Sequence, residues 1–163
     1  MTTAGGSHVS AHGQSMRSVP ITLRRANLAD SEFAYGVVCE TIRPYAEQTF
    51  GIWQEAQVRA MLASNIGAGV TKVITAGAEP LGILTVHESE SHVQLDQLFV
   101  LPQYQRNGIG TELVREILQR AKQLGVPVRL RVLRVNPAKR LYDRLGFFVT
   151  SEEPQRFYMQ SAP

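Results

Sequence analysis

One cysteine and one tryptophan stand among the 163 residues. A lone Cys39 excludes an intrachain disulfide and any cysteine-rich zinc site. Its isolation fits a reducing compartment, and a cytoplasmic protein is expected. No apolar run approaches the ~18 residues of a membrane span, and no signal-peptide core is visible, so no membrane partner is expected. Charge is scarce: 17 Lys and Arg against 14 Asp and Glu leave a net charge of +3. That is too mild for the basic stripe of a nucleic-acid binder, so no nucleic acid is expected as partner, although it suits an anionic ligand. Arg129, Arg131 and Arg134 make at most a short basic strip. No cluster of His, Cys and carboxylates has metal-ligand spacing, and no nucleophilic triad is legible. No metal is expected. What is abundant is apolar content, 44%, enough for one domain with a core of its own.

Residues 1–18 are Gly-, Ser-, Thr- and His-rich and nearly devoid of apolar side chains, so a disordered tail is expected there, ahead of a single domain over 19–163. The pattern then predicts a strand at Pro20–Arg25 and a helix from Asp30 or Ser31 to about Ile42. Pro44 breaks that helix or starts a new turn, and a loop follows. A second helix is predicted at Gln54–Ala63. Strands follow at Val70–Thr75 and Leu81–His87, and a third, hairpin-connected, at His92–Leu101. Leu113, Val114, Ile117, Leu118 and Ala121 make the apolar stripe of a helix over Thr111–Leu124, stopped by Gly125. A strand at Val126–Leu133, a short helix at Pro137–Leu145 and strands at Phe147–Thr150 and Arg156–Gln160 complete the chain. This is a mixed α+β layout, with helices covering a mostly antiparallel sheet. Its exposed sheet edges make a homodimer a possible arrangement.

Between the third hairpin strand and the long helix lies Gln105-Arg-Asn-Gly108-Ile-Gly110-Thr111. A glycine-rich turn entering a helix N-terminus bares several backbone N–H groups at the positive end of the helix dipole, which suits a phosphate or diphosphate. A Walker-type loop requires Lys after its last glycine, and Thr111 stands there. A dinucleotide fingerprint requires Gly or Ala where Leu113 stands. Neither fits. What fits is Gln105-x-x-Gly108-x-Gly110 directly after Leu98-Phe99-Val100, followed some thirty residues later by Asn136-Pro-Ala-Lys-Arg-Leu-Tyr142-Asp-Arg-Leu-Gly146-Phe147. This pair of motifs resembles the GNAT superfamily of acetyl-CoA-dependent N-acetyltransferases, over roughly Ile21 to Met159.

The resemblance implies a sheet of about seven strands, with helices on both faces and two parallel strands, those of Leu98 and Leu130, splayed apart. It implies acetyl-CoA as co-substrate. The diphosphate would lie on the loop of Arg106, Asn107, Gly108, Ile109, Gly110 and Thr111. The pantetheine arm would pair with Leu98, Phe99 and Val100 and bond Asn136. Tyr142 would protonate the leaving thiolate. The chemistry accounts for these types: the amine must lose a proton, the thiolate gains from an O–H donor, and the carbonyl oxygen wants a backbone N–H. No covalent intermediate on the protein is required.

Some family members carry a His or Glu base at positions matching Gln94 and Asp96. Here only Asp96 can accept a proton at neutral pH, directly or through water. The alternative is a carboxylate that orients the amine or binds local backbone. Other members carry a Glu where Arg131 stands, and that base does not transfer. The segment Glu40 to Trp53 matches the acceptor side. Tyr45, Glu47 and Gln94 are the substrate-binding residues expected, with aromatic packing as the rival role for Trp53. The expected activity is transfer of an acetyl group to a primary amine, of a small molecule or a peptide, in a ternary complex. The alternative is an acyl-CoA sensor of the same fold that does not turn over.

Overall fold

The computed structural model describes residues 19–163. The tail expected over residues 1–18 lies outside them. The chain runs β1 (Ile21–Arg25), α1 (Ser31–Thr41), α2 (Arg43–Phe50), α3 (Glu55–Gly67), β2 (Thr71–Ala76), β3 (Glu79–Glu88), β4 (Val93–Val100), α4 (Ile109–Leu124), β5 (Val128–Leu133), α5 (Lys139–Arg144), β6 (Phe148–Glu152) and β7 (Arg156–Gln160). The strands make one seven-stranded sheet in the order β1-β2-β3-β4-β5-β7-β6. Every neighbouring pair is antiparallel except β4–β5. This is the mixed α+β sheet that the pattern implies.

The two faces are covered unequally. On one face, α4 turns Ile109, Leu113, Val114, Ile117 and Ala121 inward at helical spacing. They pack with Val128, Leu130, Val132 and Met159, and with Tyr142 and Phe147 around α5. Each such side chain contributes roughly 1.5–3 kcal/mol by leaving water. On the other face, Ala34, Val37 and Val38 of α1 and Leu62 of α3 close over Ile83. That layer covers the β2–β4 half of the sheet. Arg129 and Arg131 alternate with the buried Val128, Leu130 and Val132 and stay exposed.

One irregularity sets the geometry of β4. Thr85 pairs with Gln97, but the next residue, Val86, pairs with Leu95, so Asp96 is an extra residue in the strand. A bulge reverses the faces of all that follows. A strict period of two, which would place His92, Gln94, Asp96, Leu98 and Val100 on one face, therefore does not hold. Leu98 and Val100 join Val93 and Leu95 against the α4 core, while Phe99 turns to the α1 side. The cause is a buried polar ladder. Thr85 Oγ1 donates to Gln97 Oε1 at 2.8 Å and lies 2.8 Å from Thr71 Oγ1. Without the bulge, the Gln97 amide would enter the apolar α4 core with no partner.

Several element bounds shift from expectation, and α3 runs on to Gly67; two of the differences have a clear local cause. The loop expected after Pro44 is helix α2, with Pro44 in its first turn and Gly51, at φ 74°, closing it. Helix α4 starts at Ile109 rather than Thr111, because Gly108 takes the left-handed conformation at φ 78° and serves as its N-cap.

Thr85→Val keeps the side chain's shape but leaves Gln97 and Thr71 without their shared partner. We expect a stability loss of about 1–3 kcal/mol, read as a lower urea midpoint at constant m-value. An unchanged midpoint would show that the ladder does not hold this register.

Candidate active site

Strands β4 and β5 pair only at Val93–Val128, Gln94–Arg129 and Leu95–Leu130. Beyond Leu95 and Leu130 they diverge. Leu98 to Val100 then form a strand edge in mid-sheet, facing a cleft of about 910 Å³ instead of a neighbouring strand. The cleft passes through the sheet. One wall carries Gly110 and Thr111 of α4 with Leu141 and Tyr142 of α5. The other carries Ile42 and Tyr45 at the α1–α2 junction with Arg131 of β5 and Arg156 of β7.

The loop before α4 is built to expose donors. Arg106 and Gly108 are both left-handed, at φ 65° and 78°. Arg106 is not glycine, so its conformation stores roughly 1–2 kcal/mol of backbone strain. The amides of residues 106–111 make no backbone hydrogen bond among the described residues, and Glu112 is the first to pair, with the Gly108 carbonyl at 3.0 Å. Convergent free N–H groups at the start of a sixteen-residue helix form an anion site. Gln105 anchors this loop by donating Nε2 to the Val100 carbonyl at 2.8 Å. Gly110 allows α5 to close in: a Cβ there would lie 3.3 Å from Leu141 Cδ2.

Across the gap, Asn136 Oδ1 accepts from the Ala138 N–H at 2.9 Å, which closes the turn ahead of α5 and leaves the Asn136 Nδ2 donors for the cleft. Tyr142 is 8% exposed, its ring edge-on to Phe147 with centroids 5.6 Å apart. Its hydroxyl makes no hydrogen bond among the described residues, and the side chain lines the cleft. Burial in this apolar wall pushes its pKa up to about 12, so the phenol keeps its proton across the physiological range.

Asp96 lies where the strands part and borders two spaces, the cleft and a neighbouring depression of about 550 Å³ on the helix-free side of β5 and β7. His87 Nε2 lies 2.7 Å from Asp96 Oδ2.

The cleft thus brings together Asp96, Leu98, Phe99, Val100, Gln105, Arg106, Gly108, Ile109, Gly110, Thr111, Asn136, Tyr142 and Tyr45. Asn107 stands behind the loop, donating Nδ2 to the Tyr104 and Gln105 carbonyls at 3.1 and 3.4 Å. Gln94 lines the depression rather than the cleft. Glu47 stands off both and pairs with Arg43 Nε one turn away on α2. Trp53 packs against the α1 layer and donates Nε1 to the Tyr35 hydroxyl at 2.9 Å. Cys39 packs in the same layer and does not line the cleft. Sequence reasoning missed Arg140, Arg144, Arg156 and Glu40, all on the cleft wall. The Arg140 and Arg144 pair had a signal, since an i, i+4 spacing places both on one side of α5.

The signature of the Acetyltransferase (GNAT) family matches residues 38–147. The chain belongs to this family and is an acyltransferase. No curated protein matches it in sequence. Solved structures share its fold at low identity. PaiA N-acetyltransferase from Thermoplasma acidophilum, solved with coenzyme A, has a TM-score of 0.68 at 21% identity, over 88% of this chain and 99% of that one. Ard1 from Thermoplasma volcanium has a TM-score of 0.63 at 20% identity, over 86% and 95%. A GCN5-related N-acetyltransferase from Rhodopseudomonas palustris has a TM-score of 0.68 at 17% identity, over 87% and 95%.

The raised Tyr142 phenol makes stability fall at high pH. Below the ordinary value of 10, both folded and unfolded chains hold the proton, and this group's contribution is fully present. Between 10 and about 12 only the unfolded chain releases it, so stability is lost across that window. The gap corresponds to roughly 2–3 kcal/mol. Tyr142→Phe is expected to flatten the decline of the urea midpoint from pH 10 to 12 relative to the parent. Parallel curves would rule out a buried phenol.

Proposed function

We propose that this protein moves an acetyl group from acetyl-CoA to a primary amine by direct attack within a ternary complex. One observation carries the reading: a single gap between β4 and β5 joins an anion-binding helix start on one face of the sheet to a carboxylate on the other. The diphosphate lies on the amides of residues 106–111, with Arg140 and Arg144 at hand for its charge. The pantetheine amides pair with the bare edge of Leu98 to Val100 and with Asn136. That alignment supplies much of the rate by holding amine and thioester together. The family signature and the coenzyme A bound in the PaiA structure support the donor.

Asp96 accepts the ammonium proton, directly or through water, with His87 Nε2 2.7 Å from its carboxylate. An N–H of the β4 edge meets the developing oxyanion. Tyr142 donates its hydrogen bond, then its proton, to the departing thiolate. Its raised pKa keeps the phenol protonated until the thiolate departs. Cys39 lies outside the cleft, which accords with transfer in one step.

Calorimetric titration with coenzyme A and a thiol-release assay over an amine panel test this reading. Tyr142→Phe is expected to lower kcat by about 100-fold while the acetyl-CoA Kd shifts less than about twofold. Parent-like turnover would remove the acid role. Asp96→Asn should erase the acidic limb of the kcat/KM pH profile, since the base works only when ionised. A retained limb would assign the proton acceptor elsewhere.

A further inference from the structure

We propose that the amine acceptor is a small molecule carrying a carboxylate, and that Arg156, with Arg131 beside it, binds that carboxylate. The inference rests on the acetyltransferase reading and adds the substrate class.

The starting point is an orphan. Among the described residues, Arg156 Nε is the one buried side-chain nitrogen or oxygen without a hydrogen-bond partner. A buried charged donor left open is uncommon in a folded protein and calls for an explanation. The nearest carboxylate, Glu153 Oε2, is 3.8 Å away, too far for a hydrogen bond. Glu153 instead accepts from the Tyr158 hydroxyl at 3.1 Å on its other oxygen. The Phe50 ring of α2 packs 5.8 Å from the Arg156 guanidinium carbon. This cation therefore has an aromatic neighbour, a loose ion pair with Glu153 at 3.8 Å that leaves its Nε–H without a hydrogen bond, and the cleft that it lines.

Its position on the sheet assigns it to the acceptor. In β7, Phe157 and Met159 turn to the α4 core, so Arg156 and Tyr158 take the opposite face. In β5, Leu130 and Val132 do the same, which places Arg131 with them. Arg131 pairs with Tyr158 and Leu133 with Arg156, making the two arginines diagonal neighbours on one face. Such positions lie about 7–8 Å apart, a span that one carboxylate can bridge between two guanidinium groups. Arg131 lines the cleft, is exposed and makes no ion pair among the described residues. Neither arginine is on the α4 face, where the free loop amides, Arg140 and Arg144 already offer positive charge to a diphosphate.

The same wall carries negative charge at its other end. Asp96 stands beside the last β4–β5 pair, and Glu40 lines the cleft from α1. The space between is bipolar. It fits an acceptor whose amine points to Asp96 at the apex of the gap and whose carboxylate reaches the arginines. A polyamine or a lysine-rich peptide would set a second cation against Arg131 and Arg156, an arrangement that selects against such acceptors.

The test measures kcat/KM by thiol release for amino acids of varied chain length, each paired with its own carboxamide, with a diamine as cationic control. The parent is expected to favour at least one acid over its amide by about tenfold or more. Arg156→Met should reduce that acid-to-amide ratio by about 10- to 100-fold, chiefly through KM, with Arg156→Lys restoring part of it. Arg131→Met should reduce it less. Coenzyme A titration reports folding of each variant. If Arg156→Met fails to bind coenzyme A, Arg131→Met and Arg156→Lys carry the comparison. Thiol release with no preference for acids over amides or the diamine overturns this inference and leaves the acetyltransferase standing. An unaltered ratio in the variants also overturns it. Coenzyme A binding with no release for any acceptor overturns both readings together.

Discussion

The pairing of β4 with β5 ends after Leu95 and Leu130, and the rest of the molecule's chemistry depends on that ending. Its cause lies one strand away. The buried ladder Thr71–Thr85–Gln97 fixes Gln97 opposite Thr85, and Asp96 is extruded as a bulge. Bulged strands bend and twist more strongly, which turns β4 away from β5 where the next parallel pair would form. A row of open peptide groups in mid-sheet is normally a liability. Here the row lines a cleft, where the amides of an extended ligand can complete it as a missing strand would.

The gap also separates two electrical environments. On the α4 face, unshielded amides, the helix dipole, Arg140 and Arg144 present positive charge without a carboxylate of α4 or α5 intruding on the cleft wall. On the opposite face, Asp96 and Glu40 stand at one end and Arg131 and Arg156 at the other. In the proposed reaction, diphosphate and amine thus approach different sides of the same opening. Tyr142 lies at the dry junction, on the buried α5 wall. Because desolvation penalises the phenolate, the residue there stays a neutral phenol, as the proposed role of proton donor to the thiolate requires.

The loop was legible in the sequence because its chemistry constrains residue type. Gly108 must adopt φ 78°, and Gly110 must let Leu141 approach. The long amphipathic stripe of α4 and the alternation of β5 were legible because each buries one face only. Helix α2 was not. Arg43–Phe50 buries no residue fully, so no apolar period marks it, and Pro44 reads equally as a break or a start. The bulge was hidden for a related reason. Val-Gln-Leu-Asp-Gln-Leu-Phe-Val offers apolar residues in both phases, and only the partner Thr85, twelve residues upstream, decides which phase follows Asp96. Arg156 depended on a neighbour still more remote: nothing near it in sequence announces that Leu133 and Arg131 lie across from it.

Asp96 is therefore where structure and proposed chemistry coincide. As the extra residue of the bulge it has no partner position in the β3 register, so neither of the strand's alternating faces fixes its direction. The close contact of His87 Nε2, 2.7 Å from Asp96 Oδ2, is what its carboxylate meets instead. The same residue that ends the β4–β5 ladder consequently holds a carboxylate at the apex of the opening that it helps to create. The proposed proton acceptor and coenzyme-binding edge are then set by a single defect in one strand, and their spacing is fixed by the backbone rather than by the packing of separate elements. In the proposed reaction that arrangement holds the two reactants in register.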